Sequence, residues 1–509
     1  MKMKIVVPAL FAAALATTAF ADEGTVPKGI TPLTHVFLIV MENHGFGQIY
    51  NNPNAPFINE MAESANYATN YFAVGHPSST NYLEMVGGSN FGVRSDDYPN
   101  WHSSTCQANL ISGLTTLDTP ASNPALVCPI AGSGMDAATP ALDCSNEGSA
   151  GNCLLDFDGV QSLAAAPTIG KSIADQLVAA GLSWKSYQES LPVTGADGVN
   201  YSDGIFTNNT DFTQLISSGS FASWKVQGTT IPAIMSQGDA NGDIVYLYAA
   251  KHDPFAYFRS VQEAWDPNNS LKNIVGFESL YRDLAAGNVP NFSFIVPNQC
   301  NDMHGRGNAG PFCNYDESDN GTQTGLNGAL IYQGDVSVRK IVSAIKSSPT
   351  WASGNNAIVV VWDENDYTAT PNQVLLIVDT NNGIHGGISG APYNHFSLLK
   401  SMESGFGLPC LNHACDSNVS LMTDLFGTAE FYSAQFSGTL NTSTKVATLT
   451  WDVPNHASIA IYVGSPTGQL FAEEGLSSGS LATGPWASKG MTFYLVDTST
   501  QSVLGTVTL

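Results

Sequence analysis

The chain has 509 residues, enough for two or three domains and for a core that does not depend on cross-links. Only 12% of them are charged, yet the formal charge is -25 with no basic patch to offset it, which excludes general attraction to nucleic acid or an anionic membrane. With 43% hydrophobic residues and 48 glycines, the composition is that of a globular protein and not of a disordered acidic one.

From the N-terminus, Met1 to Ala21 carries Lys2 and Lys4, an apolar run through Leu15, and Ala19-Phe20-Ala21 ahead of Asp22-Glu23. This is the layout of a cleavable export signal, residues 1–21. Its apolar run is too short to span a bilayer. The expectation is an exported protein, periplasmic or extracellular, with no stable membrane insertion. Its oligomeric state is not legible. In an exported chain the eight cysteines predict disulfides between sequence neighbours: Cys106 with Cys128, Cys144 with Cys153, Cys300 with Cys313, Cys410 with Cys415.

Four apolar runs end in polar residues: Val36–Val40 before Glu42, Phe292–Val296 before Asn301-Asp302, Ile358–Trp362 before Asp363-Glu364, and Val374–Val378 before Asp379. Continuous apolar runs suit strands buried on both faces of a mostly parallel sheet. Helical patterns fall between them, one from Ser172 that stops near Gly181 and leads into a short strand, another from Val336 that breaks at Pro349. The predicted class is α/β, a mostly parallel sheet sandwiched by helices, over residues 22–426. Ligands of such sheets sit beyond the carboxyl ends of the strands, where the polar clusters lie.

Residues from about 100 to 154 are rich in Ser, Gly and Pro and hold four cysteines, and read as a stapled insertion. From 427 to 509 the pattern has period two. Ala447, Leu449, Trp451 and Val453 alternate with polar residues, as do Ile459, Ile461 and Val463, which predicts a small C-terminal β-sandwich. This module has no compact catalytic cluster. It reads as a packing or spacer unit, with glycan or surface binding as the alternative.

Glu42 and Asn43 offer adjacent oxygen ligands after one strand, and Asp363, Glu364 and Asp366 after another. Either alone is more often a helix cap or a solvated loop, but two at equivalent strand ends suit a hard or intermediate divalent cation. Asp302 and His304 follow a third strand and are able to ligate a metal, or the histidine to contact an anion. His76, His304, His385 and His395 all fall in apparent site loops. In "VGHPSSTNYLEMVGG", residues 74–88, Ser78, Ser79 and Thr80 lie in a turn before a helix, whose N-terminus offers N–H groups to an anion. A metal would activate such a hydroxyl. The plainer use of these residues is an N-cap.

The motifs "MENHGF", "HPSSTNYL", "FSFIVPNQCNDMHG", "VVWDEND" and "PYNHFSLLKSMESGFGL", in this order, resemble the metal-dependent phosphoesterases that include secreted acid phosphatases and bacterial phospholipases C, within the alkaline-phosphatase-like superfamily. The likeness covers about residues 31–425. It implies an alkaline-phosphatase-like fold, Ser78 as nucleophile, and Glu42, Asn43, Asp363 and Glu364 as metal ligands. Thr80 departs from the family's second proline and leaves Ser79 and Thr80 as alternatives. Asp302, His304 and His395 match elements that hold a second ion in two-metal members and contact phosphate in one-metal members, and His304 and His395 are the candidate proton donors. His76, Asn81 and His385 are expected at the substrate.

The expected cofactor is one or two divalent ions drawn from Ca, Mg, Mn or Zn. The expected substrate is a small phosphate ester or a phospholipid head group. A phosphomonoesterase working through phosphoserine is the leading reading and a phospholipase C-type diesterase the runner-up. A binding protein with a purely structural metal is the rival class. The sulfatase signature Cys-x-Pro-x-Arg is missing from the sequence.

Overall fold

The structure is a computed structural model that describes residues 23–93, 96, 130–136, 167–191, 194–197, 224–226, 229–231, 247–305, 328–366, 371–383, 385–427, 435–453, 459–474, 478–498 and 503–509. The export signal and most of the expected insertion lie outside these residues. So do one or both cysteines of every expected disulfide except Cys410–Cys415, which is formed. Two compact units divide the chain after Gly427.

The first unit is built on eight strands: β1 (His35–Met41), β2 (Asn66–Ala68), β3 (Trp184–Gln188), β4 (Ile274–Gly276), β5 (Phe292–Val296), β6 (Asn356–Trp362), β7 (Leu376–Thr380) and β8 (Ile388–Ser389). They form one sheet in the order β8-β2-β7-β6-β1-β5-β3-β4. The run from β6 through β1, β5 and β3 to β4 is parallel, whereas β7 is antiparallel to both β6 and β2. The sheet is thus mostly parallel, as the unbroken apolar runs require. Val36 to Met41 and Ala357 to Trp362 are fully buried, each large side chain contributing on the order of 1.5–3 kcal/mol on leaving water.

Helices α1 (Pro56–Ser64), α2 (Ser78–Gly87), α3 (Ile173–Ala179), α4 (Phe277–Ala286), α5 (Gly328–Lys346) and α6 (His395–Phe406) flank the sheet. Ser172 and Asp175 form a capping box at the start of α3, and Gly181 at φ +74 turns the chain toward β3, as the sequence predicts. Helix α5 starts eight residues before the predicted Val336, because Leu330 and Ile331 extend the apolar face of Val338, Ile341, Val342 and Ile345.

The fourth apolar run departs from expectation. Because β7 is antiparallel, Asp379 lies opposite Ile358 near the start of β6, at the edge of the sheet away from Asp363.

The second unit, taken by itself, has two antiparallel sheets. One comprises β9 (Gln435–Asn441), β10 (Val446–Asp452) and β13 (Ser478–Ala482). The other comprises β11 (Ile459–Val463), β12 (Gln469–Glu474), β14 (Thr492–Asp497) and β15 (Val503–Thr508). Leu449, Trp451, Val453, Ile459, Ile461, Phe493 and Leu495 form their shared core, so the alternation read in the sequence faces a sandwich interior.

Candidate active site

Three parallel strands deliver the site. Where β1 ends, the Glu42 N–H donates to the Asp302 carbonyl at 2.9 Å, and the Asp363 N–H donates to the Met41 carbonyl at 3.0 Å. These two bonds draw the loops after β1, β5 and β6 together. Between Asp302 and His304, Met303 sits at φ +84, a left-handed conformation that costs about 1–3 kcal/mol and marks an over-determined turn. Gly334 on α5 lets that turn approach, since a Cβ there would stand 2.3 Å from Met303 Cγ.

Glu42, Asp302, Asp363 and Glu364 are fully buried together. One oxygen each from Glu42, Asp363 and Glu364 lies within 4.8 Å of the others, and a second such group joins Glu42 to His252 and Asp302. Ser78 opens α2 between them. Its Oγ is 2.5 Å from Glu42 Oε1 and 3.1 Å from Glu364 Oε1. A hydroxyl has one proton, so it donates to only one of the two carboxylates and turns a lone pair to the other. Two carboxylates closing on one oxygen call for a cation or a proton in the space between them.

Several atoms confirm the deficit. Glu42 Oε2, Asn43 Oδ1, Asp302 Oδ2 and Asp363 Oδ2 are buried without a hydrogen bond. His252 Nε2 lies against Glu42 Oε2, yet neither atom has a hydrogen-bond partner, and burial lowers the His252 pKa, as expected of two lone pairs aimed at a common centre. Burial, and then repulsion from Glu42 and, at Glu364, first from Asp363, raises the Asp302, Asp363 and Glu364 carboxyls well above the usual range. At Glu42 burial acts in the same direction, but Lys251, His252 and His304 outweigh it and hold the carboxyl down to about 2. Oxygen donors with one imidazole fit a divalent cation.

The remaining sequence-predicted residues divide into braces and outsiders. His76 Nδ1 donates to Glu364 Oε2 at 2.8 Å, and burial lowers its pKa to about 3, so it is neutral. Asn81 donates to the same oxygen at 3.1 Å and to the Gly75 carbonyl, while its own Oδ1 accepts from the Val74 and Gly75 N–H groups. Both therefore orient Glu364. His395 Nε2 donates to the Asp363 carbonyl at 2.6 Å and Nδ1 accepts from the Tyr71 hydroxyl at 2.8 Å; both ring nitrogens are engaged, burial lowers its pKa to about 4, and the ring braces Asp363. His304 Nδ1 donates to the Gly305 carbonyl at 2.9 Å.

His385 is outside the site. It is 47% exposed, 3.7 Å from Asp379, at the edge that antiparallel β7 reaches. Asp366 also stands apart, accepting from Gln48 Nε2 at 2.7 Å. The N–H of Ser79, expected to await an anion, already donates to Asp96 Oδ1 at 3.0 Å.

Sequence reasoning missed His252, Lys251 and Asp96. The first two come from a single short 3-10 turn, Ala250–His252, which has no periodicity to reveal it. The available signal was "KHDP", a charged cluster in a chain sparing of charge, two alanines after Tyr246-Leu247-Tyr248.

A profile of the Phosphoesterase family matches residues 47–311, slightly more than half the chain. The chain belongs to the phosphoesterase family. Membership makes it a phosphoric ester hydrolase, and the match contains Ser78, His252, Asp302 and His304, with Glu42 and the Asp363-Glu364 pair lying on either side.

Among related phosphoesterases, a phosphatidylinositol-3-phosphatase of Mycobacterium tuberculosis is 22% identical over 410 residues, 80% of this chain and 88% of the relative. A phosphate-repressible acid phosphatase of Penicillium chrysogenum is 21% identical over 370 residues, 72% of this chain and 58% of its own. An acid phosphatase of Aspergillus fumigatus is 21% identical over 365 residues, 70% and 52%. The chain thus spans little more than half the length of these fungal relatives. Among solved structures, a Vibrio parahaemolyticus protein of the alkaline phosphatase superfamily aligns over 98% of this chain and 86% of its own at 12% identity and a TM-score of 0.38.

Proposed function

We propose that this phosphoesterase is an exported, metal-dependent phosphomonoesterase that works through a phosphoserine at Ser78. The observation that carries this reading is the Ser78 Oγ set between Glu42 Oε1 at 2.5 Å and Glu364 Oε1 at 3.1 Å. Glu42, Asn43, Asp363 and Glu364 would hold a divalent ion, with His252 and Asp302 beside them. Bound there, such an ion supplies Lewis acidity that favours the ionised serine.

The chain's own residues do the rest. Ser78 gives up its proton to solvent, with Glu42 and Glu364 remaining carboxylates, as Oγ attacks phosphorus in line. The P–O bond to the leaving group breaks, and the leaving oxygen takes the bonding pair and a proton, supplied by His304 or by solvent. Water then attacks phosphorus, the Ser78 Oγ–P bond breaks, and Oγ takes the proton that the water gives up. His76, Asn81 and His395 keep the two carboxylates in register throughout. Monoester substrates are favoured over diesters because the relatives named above carry phosphatase names. Export rests on the sequence of residues 1–21. No described helix is long and apolar enough to cross a membrane.

The test is hydrolysis of p-nitrophenyl phosphate beside p-nitrophenyl phosphorylcholine, with protein dialysed against chelator and restored with Ca, Mg, Mn or Zn. Metal-dependent turnover of the monoester is expected. Preference for the choline diester would replace the reading with a phospholipase C-type one, and no turnover of either would leave a binding protein.

A further inference from the structure

Lys251 is a fully buried cation with no role in the reaction just described. It enters on the same short turn as His252. Its Nζ lies 3.4 Å from Ser78 Oγ and 2.9 Å from Asp96 Oδ2. Asp96 in turn accepts the Ser79 N–H through its other oxygen at 3.0 Å, so one carboxylate ties the lysine to the first turn of α2, where Ser78 sits.

The distances fix what Lys251 is able to do. When Ser78 gives up its proton, Oγ becomes an anion with Glu42 at 2.5 Å and Glu364 at 3.1 Å, both carboxylates. A donor that carries positive charge relieves that crowding, and the ammonium already stands 3.4 Å from the serine oxygen. Left to itself, a long flexible lysine beside four buried carboxylates would fold onto them, and the bond to Asp96 holds it off.

We propose that Lys251 is a catalytic residue of this centre, donating a charged hydrogen bond to the Ser78 oxygen as it attacks phosphorus, and that Asp96 is the positioning residue that aims it. Lys251 keeps all its protons: the serine proton passes to solvent, the Oγ–P bond forms, the P–O bond to the leaving group breaks, and the leaving oxygen takes a proton from His304 or solvent. The ammonium offsets charge on the attacking oxygen and transfers nothing. The inference rests on Ser78 as the nucleophile.

The experiment is rapid-mixing measurement of the first turnover of p-nitrophenyl phosphate in wild type, Ser78→Ala, Lys251→Met, Lys251→Arg and Asp96→Asn, with metal content and Tm of each. Lys251→Met should slow formation of the phosphoenzyme by about 10²- to 10³-fold, as removal of one preorganised donor does, with metal retained. Lys251→Arg should recover part of the rate, and Asp96→Asn should lose about tenfold, as loss of an orienting partner does. Where Lys251→Met fails to fold, Lys251→Ala supplemented with ethylammonium replaces it: rescue by the cation and not by ethanol is expected. A first-turnover rate in Lys251→Met or Asp96→Asn within about threefold of wild type, or equal rescue by ethanol, overturns the role of the lysine. Activity in Ser78→Ala would instead remove the nucleophile itself, which separates the two failures.

Discussion

The ends of β6 and β7 read alike in the sequence, an apolar run closed by an acid, and do opposite things in the fold. At the end of β6, Asp363 and Glu364 are fully buried beside Glu42 and Ser78. At the end of β7, Asp379 pairs with the half-exposed Lys346 at 2.5 Å and faces the exposed His385. What separates them is strand direction. β6 runs parallel to β1 and shares its carboxyl edge, whereas β7 runs antiparallel and ends at the other edge. An acid after a buried strand joins a cluster able to hold a cation when a parallel neighbour brings a second acid to the same edge. Where a cation already waits, it becomes an ordinary ion pair.

The largest expected effect lies at the β6 edge. Ser78→Ala should lower kcat by at least about 10³-fold with fold and metal content intact. Unchanged turnover would contradict the nucleophile assignment. Glu42→Gln should lose bound metal as well as activity when metal is counted by elemental analysis, because Glu42 belongs to both clusters. Full metal occupancy in that variant would remove Glu42 from the ligand set.

His252→Ala should weaken metal retention by at least about tenfold in a chelator competition, with Tm in excess metal near that of wild type. Retention equal to wild type would reduce His252 to packing, for which its stack on Tyr82 would then be the reason.

A third histidine between acids sharpens the comparison because it belongs to neither edge. Burial alone would lower the pKa of His413, but the Asp136 and Asp416 carboxylates beside its two ring nitrogens outweigh burial and push it up to about 10. The folded value lies above the unfolded one of about 6.5, so the native state binds the extra proton. The stabilisation is therefore complete below about pH 6.5 and is lost as pH rises through about 10. The Tm gap between wild type and His413→Asn should be widest at low pH and close toward pH 10. A gap that widens with pH would reverse the assigned charge. The buried Glu84 carboxyl faces the same group, raised by burial and by Asp136, and does not change this sign.

The smallest effect belongs to the β7 edge. His385→Ala should leave kcat and KM unchanged, and Asp379→Asn should cost no more than about 1 kcal/mol in denaturant unfolding, the range of a partly exposed ion pair. A large loss of turnover in His385→Ala would return that histidine to the substrate.

Much of this was legible in the sequence. The apolar runs before Glu42, Asp302 and Asp363 are buried central strands, and a turn places Ser78 at the start of a helix. Residue type and local period carry that information. Strand direction is not local, so the sequence does not separate His385 from the histidines of the site loops. The bracing roles of His76, Asn81 and His395 depend on partners as far as 324 residues away in the chain. Lys251, His252 and Asp96 arrive on a 3-10 turn and a loop, where no periodicity marks them.

The most direct measurement is an acid quench of the metal-loaded enzyme during turnover of a phosphate-labelled aryl phosphate, followed by peptide mapping. The account predicts label on the peptide that contains Ser78, none after chelation and none in Ser78→Ala. Label on another residue, or normal turnover with no labelled protein at any quench time, would contradict it.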